Sequence, residues 1–237
     1  MDDSLYNKEI VCPACNKKIE VTKVKSKACV VKSKDTDFCI YYEGVNPIFY
    51  DVWVCEYCGY AAQSDRFEEL SNNEAKKVKT NISPLWKSRK FCGERNIESA
   101  LEAFKLALFN LQTMEAKASD FAKICIRIAW LYRLNQDEKE NEFLKHALKF
   151  YTQTFDKENF PIKKFDEYTC MYLIAELNRR VGDLDESIKW FNKLINSPGA
   201  KANKILIETA RDQYHLAKEQ KEQKEQKEQN EQNETAS

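Results

Sequence analysis

Two Cys-x-x-Cys pairs, Cys12-Pro13-Ala14-Cys15 and Cys55-Glu56-Tyr57-Cys58, constrain this chain more than any other feature. A two-residue spacer lets both sulfurs of a pair face one side of a tight turn, about 2.3 Å from a shared ion. Two such turns complete a tetrahedral four-thiolate shell with no position left for a substrate. Gly59, directly after the second pair, suits the sharp turn of a knuckle, where φ can become positive. Cys12, Cys15, Cys55 and Cys58 are therefore the candidate ligands of a structural Zn2+.

The chain has nine cysteines, and the others read differently. Cys125 and Cys170 lie in apolar helical contexts and read as small core residues. Cys92 precedes a helix without an evident partner. Cys29 and Cys39 fall between the knuckles but lack paired spacing, so whether either joins the site stays open. Formal net charge is zero, which gives no global field to select nucleic acid or a membrane surface. The polar, acidic start lacks the apolar segment of a secretory signal, and no run approaches the roughly 20 apolar residues of a membrane span. A cytoplasmic location is expected, where thiols stay reduced and such pairs hold metal rather than form disulfides.

The expected fold class is α+β: a small β zinc ribbon, then an all-α helical-repeat domain. The ribbon spans 1–62, where Ile19 to Lys25 largely alternates apolar and polar, Ala28 to Val31 is a short apolar run, and Phe49 to Val54 leads into Cys55. A connector covers 63–95, with a short helix capped by Ser71 and Glu74 in capping-box spacing and stopped before Pro84. Trp86 is expected to anchor it. Six helices follow over 96–217, with stripes such as Ile97, Ala100, Leu101, Phe104, Leu108 and Leu111, and a last one carrying Ile205, Leu206, Ala210, Tyr214 and Ala217. The Lys-Glu-Gln-rich tail, 218–237, extends the last helix or stays disordered, solvated either way.

Tyr172 to Phe191 has the layout of a tetratricopeptide helix pair, with small residues at the approach, Gly182-Asp183 at the turn and an aromatic on the second helix. Ile128 to Ala147 is a weaker copy. Ala129 and Ala175 hold matching places but lie farther apart than the usual period of about 34 residues.

Val11 to Cys15, Lys32 to Phe38, Tyr42 to Pro47 and Tyr50 to Ala61 resemble a bacterial family catalogued as domain of unknown function 2225, and the similarity extends through the helical region. The resemblance implies a zinc-ribbon head fused to a tetratricopeptide-like body. It implies no reaction and no partner, and gives Cys29 and Cys39 no role.

Three functional readings follow. In the first, the protein is a non-catalytic interaction module whose helical groove binds a protein or peptide. In the second, the ribbon binds nucleic acid through Lys23, Lys25, Lys27, Lys32 and Lys34, with Tyr41, Tyr42, Phe49, Tyr50 and Trp53 nearby; alternate lysines are equally the solvent face of a hairpin. In the third, the pairs form a thiol redox couple. His146 and His215 are far apart in sequence, and no phosphate-cradling loop, nucleophile elbow or HExxH occurs, so neither an enzyme nor a small-molecule substrate is expected. Asp35 and Asp37 have the spacing to hold a cation but read as a turn. On this reading, replacing Cys12 or Cys58 by serine unfolds the ribbon and leaves the helices intact.

Overall fold

Each Cys-x-x-Cys stretch is the turn of a β-hairpin. In the computed structural model, which describes residues 3–235, β1 (Leu5–Val11) and β2 (Lys18–Val24) flank the first pair. β5 (Val52–Val54) and β6 (Ala61–Gln63) flank the second. Both pairings are antiparallel, with Val11 opposite Lys18 and Val54 opposite Ala61 beside the turns. A third hairpin, β3 (Val30–Lys34) with β4 (Ile40–Glu43), lies between them in sequence. The three form separate two-stranded sheets.

The strands differ in burial, and so in how legible they are. Every residue of β5 and β6 is buried, whereas β1 buries only Leu5 and Ile10. The apolar run ending at Val31 is not a buried strand: Ser26–Ala28 is a 3-10 turn, and Val31 is 57% exposed in β3. Phe49 and Tyr50 belong to a second 3-10 turn, Pro47–Tyr50, rather than to the strand entering Cys55.

Seven helices follow. The first, α1 (Asn72–Asn81), opens on the expected capping box: the Ser71 hydroxyl accepts from the Glu74 amide, and the Glu74 carboxylate accepts from the Ser71 amide at 2.9 Å. Next come α2 (Ile97–Met114), α3 (Ala118–Leu134), α4 (Lys139–Lys157), α5 (Glu167–Val181), α6 (Leu184–Asn196) and α7 (Lys204–Thr235). Among the described residues no helix is long and apolar enough to cross a membrane.

The chain divides into two compact units after Phe143. In the first, α2 lies against β5 and β6, where Ala100, Ala103 and Ala107 permit close approach. One buried cluster runs from Cys12, Cys55 and Cys58 through Val52, Val54 and Phe67 to Phe104 and Leu111 of α2, and on to Ile124, Ile128 and Leu131 of α3. The ribbon and the first long helices share this core.

In the second unit α5, α6 and α7 pack together. Gly182 ends α5 at φ +88°, and the Asp183 carboxylate accepts from the Glu186 amide to start α6. The buried side of α7 is set by Leu206, Ile207, Ala210 and Ala217; Ile205, expected inside, is 78% exposed. That helix runs unbroken through the Lys-Glu-Gln repeat to Thr235. Lys221 holds its course with bridges to Asp185 (2.6 Å) and Glu225.

Candidate metal centre

The two cysteine turns are built alike. In the first, the Asn16 amide donates to the Cys12 carbonyl (2.8 Å) and the Cys12 amide to that of Lys17 (2.9 Å). In the second, the Gly59 amide donates to the Cys55 carbonyl (3.0 Å) and the Cys55 amide to that of Tyr60 (2.8 Å). The residue after each pair takes positive φ, 58° at Asn16 and 75° at Gly59. Asparagine tolerates that region better than most residues, which is why the first knuckle works without glycine.

These turns bring all four sulfurs within 4.8 Å of one another. Cys12 to Cys58 and Cys15 to Cys55 are each 3.7 Å apart. A tetrahedral ion with bonds of about 2.3 Å sets its ligand sulfurs about 3.8 Å apart, whereas a disulfide needs about 2.05 Å. The spacing fits four ligands around one metal ion, and none of the nine cysteines is in a disulfide. Cys12, Cys55 and Cys58 are buried; Cys15 is half-buried.

The electrostatics agree. The neighbouring Cys12 and Cys58 thiols, with the amides of Tyr57 and Cys58, pull the Cys55 thiol well below its ordinary value. The same neighbours act the other way on Cys12 and Cys58: Cys12 is pushed up, chiefly by Cys55, and Cys58 is driven up by Cys12, Cys55 and burial. Packed thiols cannot all ionise against one another, and a bound cation supplies the charge that permits it.

Neighbouring elements clamp the second knuckle. The Trp86 indole donates to the Glu56 carbonyl (2.7 Å), the anchoring expected of this residue. The Ser83 hydroxyl donates to the Cys58 carbonyl (3.1 Å), and Asn110 of α2 donates to that of Gly59 (3.1 Å). A Cβ at Gly59 would meet the Trp86 ring at 2.8 Å. Gly59→Ala thus combines a left-handed backbone with a clash and should cost about 2 kcal/mol or more. Gly44→Ala, at φ +74° with open space around it, should cost about 1 kcal/mol. Urea midpoints of the two variants separate strain from clash; equal losses would contradict the Trp86 contact.

Cys29 and Cys39 stand outside the cluster. The Cys29 thiol donates to the Lys25 carbonyl (3.8 Å), and Cys39 is buried beside Asp37, whose carboxylate accepts from the Cys39 amide. Cys125 and Cys170 are core residues, as expected. The five lysines do not share one strand face. Lys23 lies in β2 over the Trp53 ring, Lys25 pairs with Asp3, Lys27 sits in a 3-10 turn, and Lys32 and Lys34 lie in β3. Asp35 and Asp37 serve a cation of the protein's own: Arg133 of α3 reaches Asp35 at 2.7 Å and Asp37 at 2.6 Å.

A four-cysteine cluster on paired hairpin turns, followed by seven helices, defines a cysteine-cluster head joined to an all-helical body. The chain matches the family of uncharacterized proteins conserved in bacteria (DUF2225) over residues 5–217 and belongs to that family. No curated protein and no solved structure matches it.

Proposed function

We propose that this protein is a non-catalytic interaction module. A structural Zn2+ on Cys12, Cys15, Cys55 and Cys58 shapes its ribbon, and tetratricopeptide-like helices offer a groove to a protein or peptide partner. The sulfur spacing carries the metal half of this reading. An all-thiolate tetrahedron selects zinc or iron–sulfur chemistry, and four protein ligands leave no position for substrate. The α5–α6 pair supports the other half. Tyr172, Ala175 and Phe191 are fully buried where such a repeat packs its helices, and the Tyr172 and Phe191 rings meet edge-on at 5.8 Å. Stacked pairs of this kind produce extended concave surfaces.

The purified chain is expected to carry about one zinc per molecule, with four thiols shielded from a disulfide reagent until a chelator is added. Zinc well below that ratio, with these thiols cycling freely through disulfides, overturns the metal assignment. Affinity capture with the full chain from bacterial extract should return a reproducible protein partner, lost when the exposed face of α5–α6 is recharged. Recovery of nucleic acid instead overturns the interaction assignment.

A further inference from the structure

A cleft of about 210 Å3 opens between the β3–β4 hairpin and α3. Phe38 and Ile40 come from the hairpin, Ile48 from the 3-10 turn over Pro47–Tyr50, and Trp130 and Leu134 from α3. The walls are fixed before any guest arrives. The Trp130 indole donates to Asp37 (3.1 Å), and Asp37 is itself gripped by Arg133. Pockets for drug-sized molecules run from about 300 to 1,000 Å3, and a cavity of about 150 Å3 already holds benzene. This cleft is the size of one large apolar side chain.

Its polar corner says what carries that side chain. Arg127 and Asp51 both line the cleft and pair through Nε and Oδ2 at 2.8 Å. Arg127 Nη1 is spent on the Lys123 carbonyl (3.2 Å), and Asp51 Oδ2 also accepts from Gln63 (3.0 Å). Among the described residues, Arg127 Nη2 and Asp51 Oδ1 have no partner. The pair therefore keeps one guanidinium nitrogen, Nη2, and one carboxylate oxygen, Oδ1, wholly unengaged. A peptide group, with its C=O and N–H, complements that arrangement. A carboxylate or phosphate would find the guanidinium already neutralised by the Asp51 carboxylate and a like charge in the same lining. We infer that this cleft is an anchor site for one bulky apolar residue of an extended peptide, whose main chain is read by Arg127 and Asp51. It lies in the N-terminal unit and goes beyond the helical-repeat groove proposed above.

The probe is N-acetylphenylalanine amide, titrated into the 15N-labelled full chain, with the Trp130 indole resonance assigned by its loss in Trp130→Phe. A saturable shift of that resonance with a dissociation constant in the low millimolar range is expected, given so small a ligand. Ile40→Trp fills the cleft and should weaken binding roughly tenfold or more; should that variant lose its fold, Leu134→Trp makes the same test from α3. The free acid, N-acetylphenylalanine, should bind several-fold more weakly than the amide. Absence of saturation, tighter binding of the acid, or displacement of the probe by a thymidine oligonucleotide would each overturn the inference. Zinc content of the same sample is read separately. A zinc-loaded chain that ignores the probe sinks this inference alone, and a zinc-poor chain that binds it sinks only the metal assignment.

Discussion

Cys12→Ser is expected to abolish metal binding and unfold the N-terminal unit, its helices included, while α5, α6 and α7 remain folded. Cys12 is fully buried with its sulfur 3.7 Å from that of Cys58, and a serine hydroxyl there is a far poorer ligand than a thiolate. Structural zinc in finger peptides contributes about 10–16 kcal/mol at neutral pH, as much as the whole stability of about 5–15 kcal/mol of an ordinary domain. The loss does not stop at the ribbon. Its thiols share one core with Phe104 and Leu111 of α2 and Ile128 of α3, so those helices lose the surface that covers them. Far-UV circular dichroism should therefore lose the α1–α3 contribution, and limited proteolysis should leave a resistant fragment beginning close to Leu144, where the second unit starts. Full helical signal in a metal-depleted variant would show that the ribbon folds separately from α2 and α3. The local sequence pattern alone points to that outcome, and the continuous core points away from it.

What the residues disclose directly is whatever is local. The cysteine cluster is readable because each Cys-x-x-Cys turn needs only its own neighbours, and the Ser71–Glu74 cap and the Gly182 stop are equally short-range. Longer helices announce themselves by periodicity. The strand β1 does not, because only Leu5 and Ile10 of its seven residues face the core. Three-residue β6, Ala61-Ala62-Gln63, carries too little pattern to register. In α7 the repeat has no apolar stripe past Ala217, yet good helix formers and Lys–Glu pairs one turn apart continue the helix. The clamp on the second knuckle draws on Ser83, Trp86 and Asn110, which only the folded chain brings to Cys58 and Gly59. Asp35 and Asp37 do form the turn expected of them, but the cation they hold is a side chain 98 and 96 residues away, beyond the reach of local pattern.

Removing that side chain is the second large perturbation. Arg133→Met should destabilise the N-terminal unit by about 3–5 kcal/mol, the usual cost of stripping one partner from a buried ion pair. Four of the five guanidinium N–H groups are engaged: Nε on Glu140 (2.7 Å), Nη1 on Asp35 (2.7 Å) and Asp37 (3.0 Å), Nη2 on Asp37 (2.6 Å). Burial works against a charge at Arg133, but hydrogen bonds to Asp37 and Glu140 overcome it and hold the group well above its ordinary pKa. Asp37 has no exposed side-chain surface, so in the variant its carboxylate stays buried without the cation that compensates it. Adding Asp37→Asn to Arg133→Met removes the orphaned charge and should restore more than half of the loss, although Asp37→Asn alone destabilises. This sign reversal distinguishes a buried charge pair from simple packing. Urea denaturation of the two single variants and the double variant measures it, with the accessibility of the four clustered thiols checking that the cysteine cluster is intact. A loss below about 1 kcal/mol in Arg133→Met would mean that the bridge is worth no more than an exposed one, and that something else holds the β3–β4 hairpin to α3.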